Sequence, residues 1–361
     1  MRKKGVRAVR LLKLLIWFKF LLMATLSIAT CRMALGQNAG SDNEAGYIPI
    51  ISGGVGYIQN VNGGVNTLEP QINPVLLVPF GHHFLLESRT DFTGVFQREN
   101  QTSGPYKGKV STTVEYSQLD WLASTKVTAV AGRYLLPFGL YNERLAPIWI
   151  RNLQDPPITA TIGTRTSGAG DGLLLRGVAM QTPRFSVQYS AYFSALCGIK
   201  QLTSARTAGG DASVFLPGPH LEVGTSYQRF LQGHEINNSG TYVSWQPGTT
   251  SFDLKAEYDY SYYGQGYWAE GAYRLDHTSA PNFFKKFQPV GRMQQAFPKN
   301  GGGNGLPAVR TERVDFGLNY YLKDNLRLLS SYGRSLSSQR NANVWNFGFT
   351  YRFTIPLWYG R

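Results

Sequence analysis

Aromatic residues near the end of the chain fall on every second position. Trp345, Phe347, Phe349, Tyr351 and Phe353 share one parity, and Asn346, Gly348, Thr350 and Arg352 share the other. Successive side chains of a strand point to opposite faces, so this segment is a strand with one apolar and one polar side. The same alternation recurs upstream. Phe84, Leu86, Phe92 and Phe96 oppose Glu87, Arg89 and Asp91, and Phe185, Val187, Tyr189, Ala191 and Phe193 oppose Ser186, Gln188, Ser190 and Ser194. Phe252, Leu254, Ala256, Tyr258 and Tyr260 oppose Asp253, Lys255, Glu257, Asp259 and Ser261, while Val314, Phe316, Leu318 and Tyr320 oppose Asp315, Gly317 and Asn319. Strands are expected to begin near 51, 70, 84, 109, 126, 171, 185, 211, 220, 240, 251, 266, 286, 310, 325 and 343. That makes about 16, an even number as in bacterial barrels. The segment around Ala212–Leu216 is the weakest, and fourteen strands is the alternative. Between Tyr116 and Leu119 the apolar parity changes, which predicts a bulge or else a strand wrongly placed.

The connections are of two kinds. Tight turns are expected at 80–83, 182–184, 217–219, 247–249 and 323–325, and longer polar stretches at 98–108, 135–169, 196–210, 231–239, 297–309 and 335–342. Short turns on one rim and long loops on the other characterise a transmembrane barrel. A soluble sandwich also alternates, but 13% aromatic against 16% charged residues, with tyrosines gathered near segment ends, favours a lipid-facing surface. A sheet crosses a bilayer only when it closes on itself. The expected fold is therefore all-β, a transmembrane antiparallel barrel over 51–361 with the long 135–169 loop folded inward.

The net charge of +14 overstates the basicity of this barrel. Residues 1–36 hold eight basic residues and no acid, leaving 28 basic and 22 acidic residues in the remainder. No nucleic-acid partner is expected. The basic start, the apolar run from Phe20 to Ala29 and Ala34-Leu35-Gly36 read as a signal peptide cut after Gly36. Cys31 offers a lipoprotein alternative. Residues 37–50 read as a lead-in without regular structure. Cys197 is the one cysteine beyond position 36, so no internal disulfide is expected.

A connection as long as 135–169 is usually functional or unstructured. Its Leu145, Ile148, Trp149 and Ile150 argue against an unstructured loop and for packing inside the lumen. That would place Glu143, Arg144, Arg151, Asp155 and Arg165 at a pore constriction, where arginines favour anions. An outer loop on lipid headgroups or a neighbouring subunit is the other reading. By parity Arg89, Arg176, Lys255, Arg274, Arg292, Arg313, Arg327 and Arg352 face the lumen. So do Glu87, Asp91, Glu115, Glu222, Asp253, Glu257, Asp259, Glu270 and Asp315, and the two signs nearly balance.

The run Gly132–Glu143, "GRYLLPFGLYNE", together with the alternating strands and aromatic end, resembles the phosphate-selective porin-like family of Gram-negative outer membranes. The resemblance implies a sixteen-stranded barrel, usually trimeric, with inward-folded loops at the constriction. It implies a passive channel for small hydrophilic solutes or ions, with a weak anion preference and no cofactor. Two other readings stand beside it: an enzyme on a plugged barrel, and a secreted β-sandwich or adhesin. The five histidines lie at or near expected turns, so they do not point to a metal or catalytic site. If the faces are assigned correctly, an arginine is excluded at Phe349 and tolerated at Asn346.

Overall fold

The computed structural model describes residues 48–99, 103–162, 168–199, 202–232, 236–299, 301–303 and 305–357. The expected signal peptide, residues 37–47 of the lead-in, Arg165, Trp358 and Tyr359 lie outside them.

The alternating segments form sixteen strands. The first eight are β1 (Ile50–Asn62), β2 (Val65–Phe80), β3 (Phe84–Arg98), β4 (Tyr106–Ser124), β5 (Val127–Leu135), β6 (Ala169–Gln181), β7 (Ser186–Ala195) and β8 (Thr207–Leu216). The second eight are β9 (Leu221–Phe230), β10 (Asn237–Trp245), β11 (Phe252–Ser261), β12 (Gly264–Tyr273), β13 (Phe287–Pro298), β14 (Thr311–Lys323), β15 (Leu326–Ser337) and β16 (Ala342–Pro356). Every expected start falls within five residues of an observed one. The fourteen-strand count and the sandwich are excluded, because the sheet closes. Neighbouring strands are antiparallel, and β16 returns to β1 with Ile50 opposite Pro356 and Asn62 opposite Val344.

The expected bulge is real. Arg89 lies opposite Tyr116 and Thr90 opposite Val114, which leaves Glu115 as the extra residue on β4. The extra residue shifts the parity of everything after it, so Tyr116 and Gln118 face the lumen while Leu119 and Trp121 face out.

The pairing register makes the outward face continuous. Near the turn rim it carries Phe80, Phe84, Trp121, Trp245, Phe252, Phe287 and Tyr320; near the loop rim it carries Tyr227, Tyr258, Tyr260, Tyr332 and Trp345. Two aromatic girdles around an apolar band suit the two interfaces of a bilayer. Outward-parity charges such as Arg98, Arg133, Asp171, Arg229, Glu312 and Arg334 sit within four positions of a strand end at the loop rim.

Two details differ from expectation, and a third sets where the closing strand ends. Two-residue turns at Gly63-Gly64 and Tyr262-Tyr263 close two hairpins on the loop rim. The turn rim carries a thirteen-residue connection, 274–286, where a tight turn would fit the pattern. Finally, β16 runs past Phe353 to Pro356, and the Leu357 N–H donates to the Pro49 carbonyl at 2.8 Å.

An arginine at Phe349, mid-strand and outward, is expected to cost about 2–4 kcal/mol near the bilayer midplane. Gln71→Arg, on the inner face of β2, should leave folding intact. Comparing the heat-resistant folded band of the two variants on a gel checks this, and equal loss in both would contradict the assigned faces.

Candidate functional site

The segment after β5 enters the barrel. At its neck the Leu136 N–H donates to the Gly168 carbonyl at 2.9 Å, and Asn142 Nδ2 donates to the Leu136 and Gly168 carbonyls at 2.7 Å each. Gly139 has φ +63°, and a Cβ there would lie 1.7 Å from Glu257 Oε1, so only glycine lets the chain turn against that carboxylate. Next to it the Gly139 N–H donates to Ser226 Oγ at 2.9 Å and the Leu140 N–H to Glu257 Oε2 at 3.0 Å. A single π-helical turn, Tyr141–Leu145, follows.

Beyond that turn the loop crosses the lumen. Arg144 grips Glu222 of β9 with two bonds, 2.7 and 2.9 Å, and lies over the Tyr242 ring. Ile148 and Trp149 reach β1, where a Cβ on Gly54 would lie 2.3 Å from the Trp149 ring. Arg327 of β15 donates to the Trp149 and Arg151 carbonyls at 2.9 and 3.0 Å. Asn152 donates to Asp253 and Glu270 of β11 and β12, and its carbonyl accepts from Asn319 of β14. Ser331 donates to Gln154, and Gln294 accepts from the Ile158 N–H.

Asp155 is the busiest anchor. Its carboxylate pairs with Arg313 and accepts from Asn60 at 3.3 Å and Asn346 at 3.1 Å, while its carbonyl accepts from Arg292 at 3.0 Å. One loop residue therefore ties together β1, β13, β14 and β16. This corrects the expectation for Asn346. It is buried and also bonded to Asn60 and Ser331, so an arginine there would displace the loop.

Apolar side chains share the task. Leu136 packs with Val130, Tyr134, Leu174 and Tyr192; Leu140 and Leu145 pack with Tyr242 and Trp268; Leu153 packs with Ala272 and Val290. These wall residues are inward by parity and not polar, so alternation alone did not single them out.

The loop leaves space on one side. A cavity of ≈ 240 Å³ lies between Glu143, Pro147 and Trp149 of the loop and Glu87, Arg89, Tyr116 and Arg176 of the wall. Each arginine at this opening faces two carboxylates of its own: Arg89 lies 3.1 Å from Asp91 and 3.8 Å from Glu115, and Arg176 lies 2.8 Å from Asp120 and 3.3 Å from Glu143. Enclosure within the lumen pushes the Glu143 carboxyl above the usual range, opposed by the nearby Arg176 and Arg144 charges.

Most of the remaining expected lumen residues also meet partners. Lys255 pairs with Asp253, Arg292 with Glu270 and Asp315, and Arg313 with Asp315 as well as Asp155. Arg151 donates to Tyr141 Oη and to the Gln154 carbonyl. Arg274 sits at the turn rim against Asp276, Asp324 and Tyr321, and Arg352 is exposed near the same rim. Sequence reasoning passed over Asp120, Asp211 and the pair Arg133–Asp171. The last is outward by parity, yet Arg133 is buried and donates to the Thr203 carbonyl of the β7–β8 connection. Their direct opposition across β5 and β6 is the signal that could have found them.

No family model and no curated protein matches the sequence. Solved structures do. Salmonella typhi OmpF, in a complex with daunomycin, is similar with a TM-score of 0.60 and 11% identity, over 86% of this chain and 99% of that one. Vibrio cholerae OmpT, an outer membrane protein, in its trimer form gives 0.53 and 11% over 85% and 100%. An anion-selective porin from Comamonas acidovorans gives 0.50 and 9% over 85% and 98%. The chain has the sixteen-stranded barrel fold of the Gram-negative outer-membrane porins.

Asp155→Ala is expected to destabilise the folded barrel by about 1.5–3 kcal/mol, because it removes one of the two carboxylates that the sheltered Arg313 bonds. Adding Arg313→Ala should cost less than its single effect, as contacting residues couple. Denaturant unfolding of both singles and the double checks this, and strict additivity would contradict the pairing.

Proposed function

We propose that the protein is an outer-membrane porin, a passive channel for small hydrophilic solutes or ions across the outer membrane of a Gram-negative bacterium. The observation that carries this reading is the charged opening beside β2–β6, left free by a loop that is otherwise fastened around the inner wall. Passive diffusion needs a polar path and gains selectivity from a fixed narrow point, and the charged space beside the fastened loop supports that reading. Glu143 and Arg176 border the narrow point, with Trp149 as its apolar side. The anion preference expected of Arg144, Arg151 and Arg165 is weak on this reading, since Glu222 compensates Arg144. A homotrimer is the assembly we infer, supported by the trimer form of the similar Vibrio cholerae protein.

Stepwise conductance of the refolded chain in a planar bilayer is the expected result, with Trp149→Ala raising the unit conductance. A folded barrel that never conducts would contradict the proposal and favour a plugged barrel.

Acidification should shift the reversal potential towards anions. The raised carboxyl of Glu143 takes up its proton above the ordinary glutamate value of about 4.3 as pH falls, and so frees positive charge on Arg176. Glu143→Gln should show that shift already at neutral pH. A wild-type reversal potential flat from neutral pH down to about 4 would contradict the assignment.

A further inference from the structure

The 274–286 connection is out of proportion to its rim, where the other turns span two to six residues. It folds into two short 3₁₀ turns, Leu275–His277 and Phe284–Lys286, the second set by Phe284 and Lys285 N–H groups that donate to the Pro281 carbonyl. Phe283 and Phe284 are 57% and 51% exposed, although nothing in a turn requires apolar residues. Phe283 lies 5.3 Å from Phe287 and 5.7 Å from Tyr320, ring centre to ring centre. Phe287 and Tyr320 are paired outward residues of β13 and β14, 4.8 Å apart. The two exposed rings thus prolong the aromatic girdle beyond the ends of the strands.

The next two residues are Lys285 and Lys286, half-exposed and exposed. Arg274 nearby is occupied by Asp276 and Asp324. Among the described ion pairs none takes up either lysine. An apolar pair that continues the girdle and is followed directly by two ammonium groups matches the layering of a phospholipid leaflet, with acyl chains below and phosphates above.

We propose that residues 281–287 are a lipid anchor: Phe283 and Phe284 sit below the headgroups of the leaflet at the turn rim, and Lys285 and Lys286 bind the phosphates of anionic phospholipids there. The occupant follows from continuity with the lipid-facing girdle and from complementary charge. The proposal rests on the barrel reading, because it requires the girdle to lie in a bilayer.

The test places a nitroxide at Phe284→Cys in the full chain with Cys31 and Cys197 replaced by Ser, inserted in vesicles. Vesicles of phosphatidylcholine alone are compared with vesicles one third phosphatidylglycerol. A second label at the outward mid-strand residue Phe316 reports membrane embedding independently. The 284 label is expected to be accessible to oxygen and shielded from an aqueous nickel chelate, more so with phosphatidylglycerol. Lys285→Ala with Lys286→Ala should remove the dependence on anionic lipid, which for two lysines amounts to roughly thirtyfold in association. A 284 label as open to nickel as one at Gly218, with the 316 label shielded, would overturn the anchor alone. Loss of shielding at both would overturn the embedded barrel as well. Shielding that ignores phosphatidylglycerol would overturn the role of the lysines.

Discussion

Pairing between β1 and β16 is the interaction on which the rest depends. Inside hydrocarbon an unpaired backbone N–H or carbonyl has no water to turn to, so an open sheet edge is excluded there. Once the last strand meets the first along its length, from Ile50–Pro356 to Asn62–Val344, no edge is left. Closure then separates the side chains by parity. One parity must suit lipid, and this explains an outward face of Phe, Leu, Val and Tyr whose charges gather at the loop rim. The other parity surrounds an enclosed volume whose contents have to satisfy it.

The loop after β5 supplies those contents. Its backbone carbonyls take arginines from the wall, as at Trp149, Arg151 and Asp155, and its carboxylate at Asp155 takes another. Its leucines cover inward apolar residues such as Trp268 and Val290. The wall therefore could not exist in this form without the loop. Trp268 and Tyr242 would face water, and Arg313 would lose one of its two carboxylates. On the proposed channel reading, structure and transport share the same residues, because what fastens the loop also fixes the width and charge of the space beside it.

Much of this was legible in the sequence. Alternation located all sixteen strands, and the slip between Tyr116 and Leu119 announced the bulge at Glu115. Inward folding of 135–169 followed from length and from Trp149 and its apolar neighbours. The partners of the loop were not legible. Asp155 meets Asn60, Arg313 and Asn346, which are scattered along the chain and brought together only by closure. Parity also treats every inward position as wet, so it gave Asn346 too much freedom and missed the buried role of Tyr192 and Trp268. Arg133 escaped notice for the opposite reason: its outward parity implies lipid, whereas the β7–β8 connection shelters it.

Crosslinking across the lumen tests the inward loop most directly. With Cys31 and Cys197 replaced by Ser, Gly54→Cys and Trp149→Cys would stand on the β1 wall and on the loop, at the point where the tryptophan ring now touches the glycine. Mild oxidation of the membrane-inserted barrel should join them in a disulfide detectable by mass spectrometry, since the geometry of that bond tolerates only close approach. A correctly folded barrel whose two thiols stay free under the same oxidation would place the loop outside the lumen and contradict the account.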